Sequence, residues 1–179
     1  MRATNEATGQ LVPIIDCYIN VPNFGRIYMN SLPDISDSKS ATYNDEPAIG
    51  RATPIKTYSH SDNRPIAFKI HLYATTSEES FKNLQILRAI QSCVYPRSDN
   101  SSGAPFAPPV ICTLKCGYLL SSKPLCVVCK NYSVSFPTDV PWDELTFAPI
   151  KFDIDTTWDV VYKSSELPGQ DKILNFFGN

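Results

Sequence analysis

The sequence predicts a mainly β fold of the α+β class, an antiparallel β-sandwich or partial barrel with one packed α-helix. Two adjacent stretches lead to this prediction. Apolar and polar residues alternate from Ile66 to Tyr73, which is the period-2 pattern of a strand with one buried face. After Thr76 the period becomes helical, with apolar residues at Phe81, Leu84, Leu87 and Ile90. Each stretch has one apolar side, so each can cover the other.

The helix is predicted over about residues 77–93. Thr76 and Glu79 have the spacing of a capping box, in which two side chains satisfy backbone N–H groups at a helix start. Ile86 widens the apolar stripe. Pro96 ends the helix, because proline disfavours the helical conformation in the residue before it.

The chain before the helix predicts an arm followed by strands. Residues 1–10 are polar and predict a flexible arm. Two strands are predicted within 11–29, joined by a turn at 22–25 that contains asparagine and glycine. Residues 31–49 are rich in Ser, Asp and Pro and predict an exposed loop or an edge excursion. Residues 55–58 are predicted to form a strand that makes a hairpin with the alternating strand.

The chain after the helix predicts a long loop, a hairpin and a last strand. Residues 97–109 form a candidate contact loop, since loops of this length tend to be functional or disordered. A hairpin is predicted from 110–120 and 126–136, and an irregular connection over 139–149. In the returning hairpin strand the predicted core face is Cys126, Val128, Tyr132, Val134 and Phe136. The last strand, 150–162, alternates most regularly.

The folded region is therefore predicted to span residues 11–163, with a C-terminal docking tail at 164–179. The tail carries Phe176 and Phe177 and is predicted to dock on this domain or on a neighbouring subunit. Phe106 and Trp142 lie in the two irregular connections. These four aromatic residues are the predicted partner contacts, because aromatic residues are enriched in interface cores.

The composition argues against two classes of function, electrostatic DNA binding and insertion into a membrane. The formal net charge is −2 and charged residues make up 19%, which argues against electrostatic DNA binding as the main role. No run approaches the roughly 18 apolar residues of a membrane span, and the N-terminus lacks the apolar segment of a signal peptide. We expect folding in a cytoplasm and no membrane partner.

The six cysteines include the pattern C-x3-C-x9-C-x2-C, at Cys112, Cys116, Cys126 and Cys129. Four thiolates suit zinc, but a regular strand would place Cys112 and Cys116 about 13 Å apart, too far for one ion. A second possibility is a cross-strand disulfide from Cys116 to Cys126 or Cys129. We favour reduced, buried thiols, since cytoplasmic proteins normally keep cysteines reduced.

Catalytic motifs are not evident. His60 and His71 have no Cys or carboxylate at a sequence spacing that indicates a dyad, and no nucleophile, phosphate-loop or HExxH motif is present. Asp153, Asp155 and Asp159 share one strand face, where a solvated surface is a better explanation than a cation site. We expect no enzyme activity and no cofactor.

Several features resemble those of the small tail-tube-related baseplate proteins of phages and contractile injection particles. They are the run SKSATYNDEPAIGRATPIKTYSHSDNRPIAFKIHLYAT, the helix end LRAIQSCVYP, the PPV that opens the hairpin, Gly117 and YSVSFP. The resemblance covers about residues 36–163. Relatives often have an aromatic residue where this chain has Cys116. Some carry a LysM module, which is not seen after the last strand here, so peptidoglycan binding is not implied.

The resemblance implies a tail-tube-like domain that assembles into a ring of three or six copies at the baseplate hub or the end of the tail tube. Its partners would be copies of itself and other tube, hub or baseplate proteins, with DNA only as passing cargo. The protein would be assembled in the host cytoplasm and located in the virion. The alternative is a zinc-binding or disulfide-stabilised interaction module outside a virion.

Overall fold

The computed structural model describes residues 14–29, 31–47, 49–97 and 107–162, together with 167 and 169. These residues form eleven strands and one helix, and every strand pairing is antiparallel. The predicted mainly β fold with a single helix is therefore confirmed for this part of the chain. The predicted arm at 1–10 lies outside the described residues, as does nearly all of the tail at 164–179.

Seven strands form the main sheet, in the order β2-β1-β7-β8-β11-β6-β3. Their bounds are β1 Ile14–Val21, β2 Gly25–Met29, β3 Asp34–Asp37, β6 Pro65–Tyr73, β7 Cys112–Cys116, β8 Leu125–Ser135 and β11 Lys151–Val160. Two small sheets complete the set, one of β4 Ala41–Glu46 with β5 Ile55–Ser61 and one of β9 Trp142–Asp143 with β10 Ala148–Pro149. The main sheet is open, because β2 and β3 are edges that do not pair with each other.

The central strands β6 and β11 bury the faces that their alternation predicts. Ile70 lies opposite Ile154 and Ile66 opposite Trp158, and all four side chains are almost fully buried. One apolar cluster joins this face to the neighbouring strands and the helix. Burial of such side chains stabilises the fold by about 1.5–3 kcal/mol each relative to leaving them exposed.

The helix α1 spans Ser77–Ser92, one residue shorter than predicted. The Thr76 hydroxyl accepts a hydrogen bond from the Glu79 N–H at 3.3 Å, as the capping pattern indicates. The Glu79 carboxylate accepts from the backbone N–H and the hydroxyl of Thr75, each at 2.6 Å. The helix α1 is the one helix of the described ranges, and with 16 residues it is neither long enough nor apolar enough to cross a membrane.

The buried face of α1 differs in part from the predicted stripe. Leu87 and Ile90 are buried as expected, whereas Phe81 is 48% exposed. Ser80 and Asn83 take the inward positions in the first turns instead. The Ser80 hydroxyl lies 2.7 Å from that of Thr146, and Asn83 donates to the Tyr73 carbonyl at 3.0 Å. These bonds explain why polar side chains are tolerated there.

The region 31–61 forms three strands, which agrees with the predicted edge excursion of 31–49 but not with the predicted loop or with the predicted hairpin. β3 pairs with the outer side of β6, so 31–49 contributes an edge strand as well as β4. β5 pairs with β4 and not with β6, so the predicted hairpin of 55–58 with the alternating strand is wrong. Both sides of β6 are already occupied, by β11 and by β3.

A bulge in β8 corrects the predicted core face of that strand. Thr157 lies opposite Asn131 and Trp158 opposite Cys129, so Lys130 is an extra residue in the ladder. The extra residue exchanges the two faces. Before the bulge, Val127 and Cys129 are buried and the predicted core residue Cys126 is exposed.

Candidate interaction surfaces

The β4–β5 hairpin stands outside the apolar core. All of its strand residues are exposed except Thr42 and Thr57, which are half-buried. Tyr43 and Tyr58 are 55% and 59% exposed, and their rings meet edge to face with centroids 5.8 Å apart. Two-stranded hairpins are marginally stable in water. A hairpin with two exposed tyrosines is therefore a candidate contact surface, since tyrosine is enriched at interfaces.

Polar bonds fix the base of the hairpin to the main sheet. The Ser40 hydroxyl donates to the Asp62 carboxylate at 2.6 Å, and the Asp62 N–H donates to the Ser40 carbonyl at 3.0 Å. Just beyond, the Arg64 guanidinium forms an ion pair with Asp37 and donates to the Leu120 carbonyl at 3.0 Å. The two ends of the hairpin, Ser40 and Asp62, are therefore held together where the chain leaves and re-enters the main sheet.

A groove of about 550 Å³ separates α1 from the β1–β2 turn. Its walls include Phe24 on the turn and Phe81 on the helix, together with Leu84, Arg88 and Val110. Phe81, Leu84 and Arg88 follow helical spacing, so α1 has a second, outward stripe beside its buried one. Phe81 and Leu84 were both predicted to belong to the buried stripe of α1, and the sequence alone did not indicate that Phe81 lies on the outward stripe.

Trp142 is the one predicted partner contact within the described residues. It is 39% exposed, and its ring centroid lies 5.8 Å from that of Phe147, which is 82% exposed. Phe147 was not predicted as a contact. Its φ of 51° places it in the left-handed region, an uncommon conformation for a bulky residue. The other predicted contacts, Phe106, Phe176 and Phe177, lie outside the described residues.

Asp143 holds the connection that carries Trp142 and Phe147. Its carboxylate accepts bonds from the Thr146 hydroxyl at 2.6 Å, the Ser77 hydroxyl at 2.8 Å and the Thr146 N–H at 2.8 Å. These bonds lower the pKa of Asp143, the Thr146 hydroxyl contributing most. The predicted irregular connection therefore contains a short ladder, β9–β10, and an ordered turn tied to the start of α1.

His71 lies in a row of polar and charged side chains across the three strands β3, β6 and β11. Its Nδ1 is 2.8 Å from an Asp153 oxygen and its Nε2 is 3.3 Å from an Asp34 oxygen. Lys69 lies 3.5 Å from Asp153 and 3.7 Å from Asp155. The sequence spacing missed the histidine–carboxylate contacts, because strand register, not proximity along the chain, makes them.

The two histidines have different surroundings. Both ring nitrogens of His71 face carboxylates, and in the described ranges neither has a serine, threonine or cysteine partner. His60, on the exposed end of β5, has Ser59 at 3.1 Å and Asp62 at 3.3 Å. The side chains of His60 and Asp62 are 60% and 43% exposed.

The predicted zinc ligands do not converge. Cys126 is exposed and lies opposite Thr113, while Cys112 and Cys116 face other cysteines. Within the described part of the chain no three or more His, Cys, Asp or Glu side chains are grouped to hold a metal ion. The acidic trio is likewise no such group, since Asp159 lies 3.7 Å from Lys130 and the other two aspartates lie near Lys69.

The predicted disulfide partners of Cys116 are corrected as well. Leu114 lies opposite Leu125, so Cys116 extends beyond the paired part of β7 and β8 and meets neither Cys126 nor Cys129. Its sulfur lies 3.0 Å from that of Cys17 on β1. Cys112 lies 3.6 Å from Cys93 at the end of α1.

Within each pair the sulfur–sulfur hydrogen bond lowers the pKa of one thiol, Cys116 or Cys93, and raises that of the other. The hydrogen bond to Cys116 and burial raise the pKa of Cys17, and the hydrogen bond to Cys93 and burial do the same for Cys112. Burial raises the pKa of Cys129 to about 12. At neutral pH these three cysteines are protonated thiols and behave as small apolar side chains.

No family model matches the sequence, and a comparison with curated proteins finds no significant match.

Proposed function

We propose that the protein is a structural component of a phage tail, which forms a ring at the baseplate hub or at the end of the tail tube and connects tube to baseplate. The β4–β5 hairpin is the observation that carries this proposal. It extends the chain beyond its own core and presents Tyr43 and Tyr58 to the surroundings. A hairpin with little to bury in its own domain is suited to packing on a neighbouring copy.

The open sheet supports the same proposal. Its two edges, β2 and β3, leave backbone groups on their outer sides that no other strand of the main sheet pairs. Exposed edges invite pairing with another chain, and a ring satisfies them in a regular way because every copy meets the next in the same manner. We propose three or six copies per ring.

The role proposed for this ring is mechanical. The aromatic pair of Trp142 with Phe147, and the groove beside Phe24 and Phe81, are further surfaces for tube, hub or baseplate neighbours. DNA would pass only as cargo, consistent with a net charge of −2. The alternative is a zinc-binding or disulfide-stabilised interaction module outside a virion, and the dispersed positions of the four predicted zinc ligands do not favour its zinc-binding form.

The test is the size of the purified full-length protein, measured by light scattering and by electron-microscope images of negatively stained particles. We expect rings of three or six copies. Replacing Tyr43 and Tyr58 together by serine should raise the protein concentration needed for assembly at least tenfold. Tyr118→Ser, at an exposed tyrosine outside the hairpin, is the matched control and should assemble like the original.

One result would overturn the proposal. If the original chain stays monomeric at every concentration and binds neither tube nor hub proteins, it is not a ring component. If the double tyrosine variant forms rings as readily as the original, the hairpin does not make the proposed contact between copies.

A further inference from the structure

Two cysteines that the sequence did not connect lie face to face in the main sheet. Cys17 on β1 and Cys116 at the end of β7 are direct register partners, and their sulfur atoms are 3.0 Å apart. Both side chains are buried. They are separated by 99 positions along the sequence, which is why no local pattern relates them.

The position of this pair in the ladder suits a disulfide. The Gly117 N–H donates to the Asp16 carbonyl at 2.7 Å, so the adjacent pair 16/117 is the hydrogen-bonded one. Cys17 and Cys116 therefore occupy a non-hydrogen-bonded pair, where Cα atoms are typically about 4.5 Å apart and side chains are closest. That spacing lies within the range of about 4.4–6.8 Å found for disulfides.

We propose that Cys17 and Cys116 form an oxidation site, which reacts with small-molecule disulfides to give an intramolecular cross-strand disulfide between β1 and β7. One thiolate attacks the small disulfide, forms a mixed disulfide and releases one small thiol. The second cysteine then attacks the protein sulfur of that mixed disulfide and releases the other small thiol. The protein loses two thiol hydrogens and two electrons, and the small disulfide gains them.

The other cysteines match this site less well. Cys93 lies at the end of α1, 3.6 Å from Cys112, and its thiol donates to the Ala89 carbonyl at 3.2 Å. Cys126 is exposed and has no cysteine opposite it in the ladder. Only Cys17 and Cys116, of the described cysteines, combine sulfur contact with strand register.

Burial determines when the reaction takes place. Both cysteines are buried and a small disulfide needs access to a sulfur, so the reaction is slow while β1 stays paired with β2 and β7. The reaction proceeds during folding or when the edge pair β1–β2 opens locally. Once formed, the bond ties β1 to β7 and closes a long loop, which restricts the unfolded chain more than a short loop would.

The experiment is refolding of the full chain in oxidised glutathione, followed by alkylation of free thiols and mass spectrometry of non-reduced tryptic peptides. We expect a linked species with two hydrogens fewer, in which fragment ions assign the bond to Cys17 and Cys116. The melting temperature of the oxidised protein should exceed that of the reduced protein by about 4–16 °C.

Single replacements separate this pair from the rest. Cys17→Ala and, independently, Cys116→Ala should abolish both the link and the oxidant-dependent rise in melting temperature, whereas Cys126→Ser, at an exposed cysteine, should retain both. Complete alkylation of all six cysteines after oxidative refolding would overturn the proposal. A bond from Cys116 to Cys126 or Cys129 would also overturn it. The Cys17–Cys116 link is detected in peptides of the digested chain, so its presence or absence does not depend on whether the protein forms a ring.

Discussion

Thr156 connects two hydrogen bonds inside the core. Its buried hydroxyl donates to the Phe68 carbonyl at 2.6 Å and accepts from the Trp158 indole N–H at 2.7 Å. Trp158 is almost fully buried, and no other hydrogen-bond partner of its indole N–H is found among the described residues. One hydroxyl therefore allows the largest fully buried side chain to be placed in the sheet.

We expect Thr156→Val to destabilise the protein by about 1–3 kcal/mol, because it leaves the buried indole N–H without an acceptor. Urea unfolding of the two proteins measures the difference. Thr156→Ser keeps the hydroxyl and is the matched control, with a smaller loss. Equal stability of the valine variant and the original would mean that the indole N–H finds another partner.

Asp143 gives a second residue-scale prediction, which concerns pH. Its pKa is lowered in the folded state, so its charge stabilises the fold above the unfolded pKa of about 3.9 and this contribution is lost as pH falls through the folded pKa. The melting temperature of the original should exceed that of Asp143→Asn by a constant amount from pH 5 to 7, and the gap should shrink below pH 4. The exposed Asp139→Asn serves as control. A gap unchanged down to pH 2 would contradict the assignment.

At the scale of elements, the sequence predicted well where each strand has one buried and one solvated face. β6 and β11 are of this kind, and their alternation gave the buried set directly. The bulge at Lys130 was not predictable, because an extra residue in a ladder is defined by the partner strand. The partners of β5 and Cys116 were missed for the same reason, since pairing between distant strands leaves no local pattern. The contacts of His71 also depend on that register.

The β4–β5 hairpin is an element that the fold does not need. The Ser40 carbonyl and the Asp62 N–H already meet at 3.0 Å, so two glycines can replace residues 41–61 and close the chain. We expect this variant to fold, with a melting temperature within a few degrees of the original, and to remain monomeric. Circular dichroism and light scattering test the two parts. Loss of folding would show that the hairpin belongs to the core.

The whole molecule combines one buried core with exposed surfaces that carry aromatic side chains. The core joins the seven-stranded sheet to one side of α1. The groove borders this core at Ala89 and Val110, while the hairpin and the pair of Trp142 with Phe147 lie outside it. Length, composition and periodicity predicted the core, because burial follows local patterns. They did not indicate the groove, the β4–β5 hairpin or the exposure of Phe147, since such surfaces depend on how distant parts of the chain pack.

The single point at which the hairpin departs and returns has an evolutionary consequence. Insertions or deletions in pairs of residues would lengthen or shorten this appendage while Ser40 and Asp62 stayed in place. The length of the hairpin, and so the distance over which it can contact a neighbouring molecule, could differ between related proteins without any compensating change in the core.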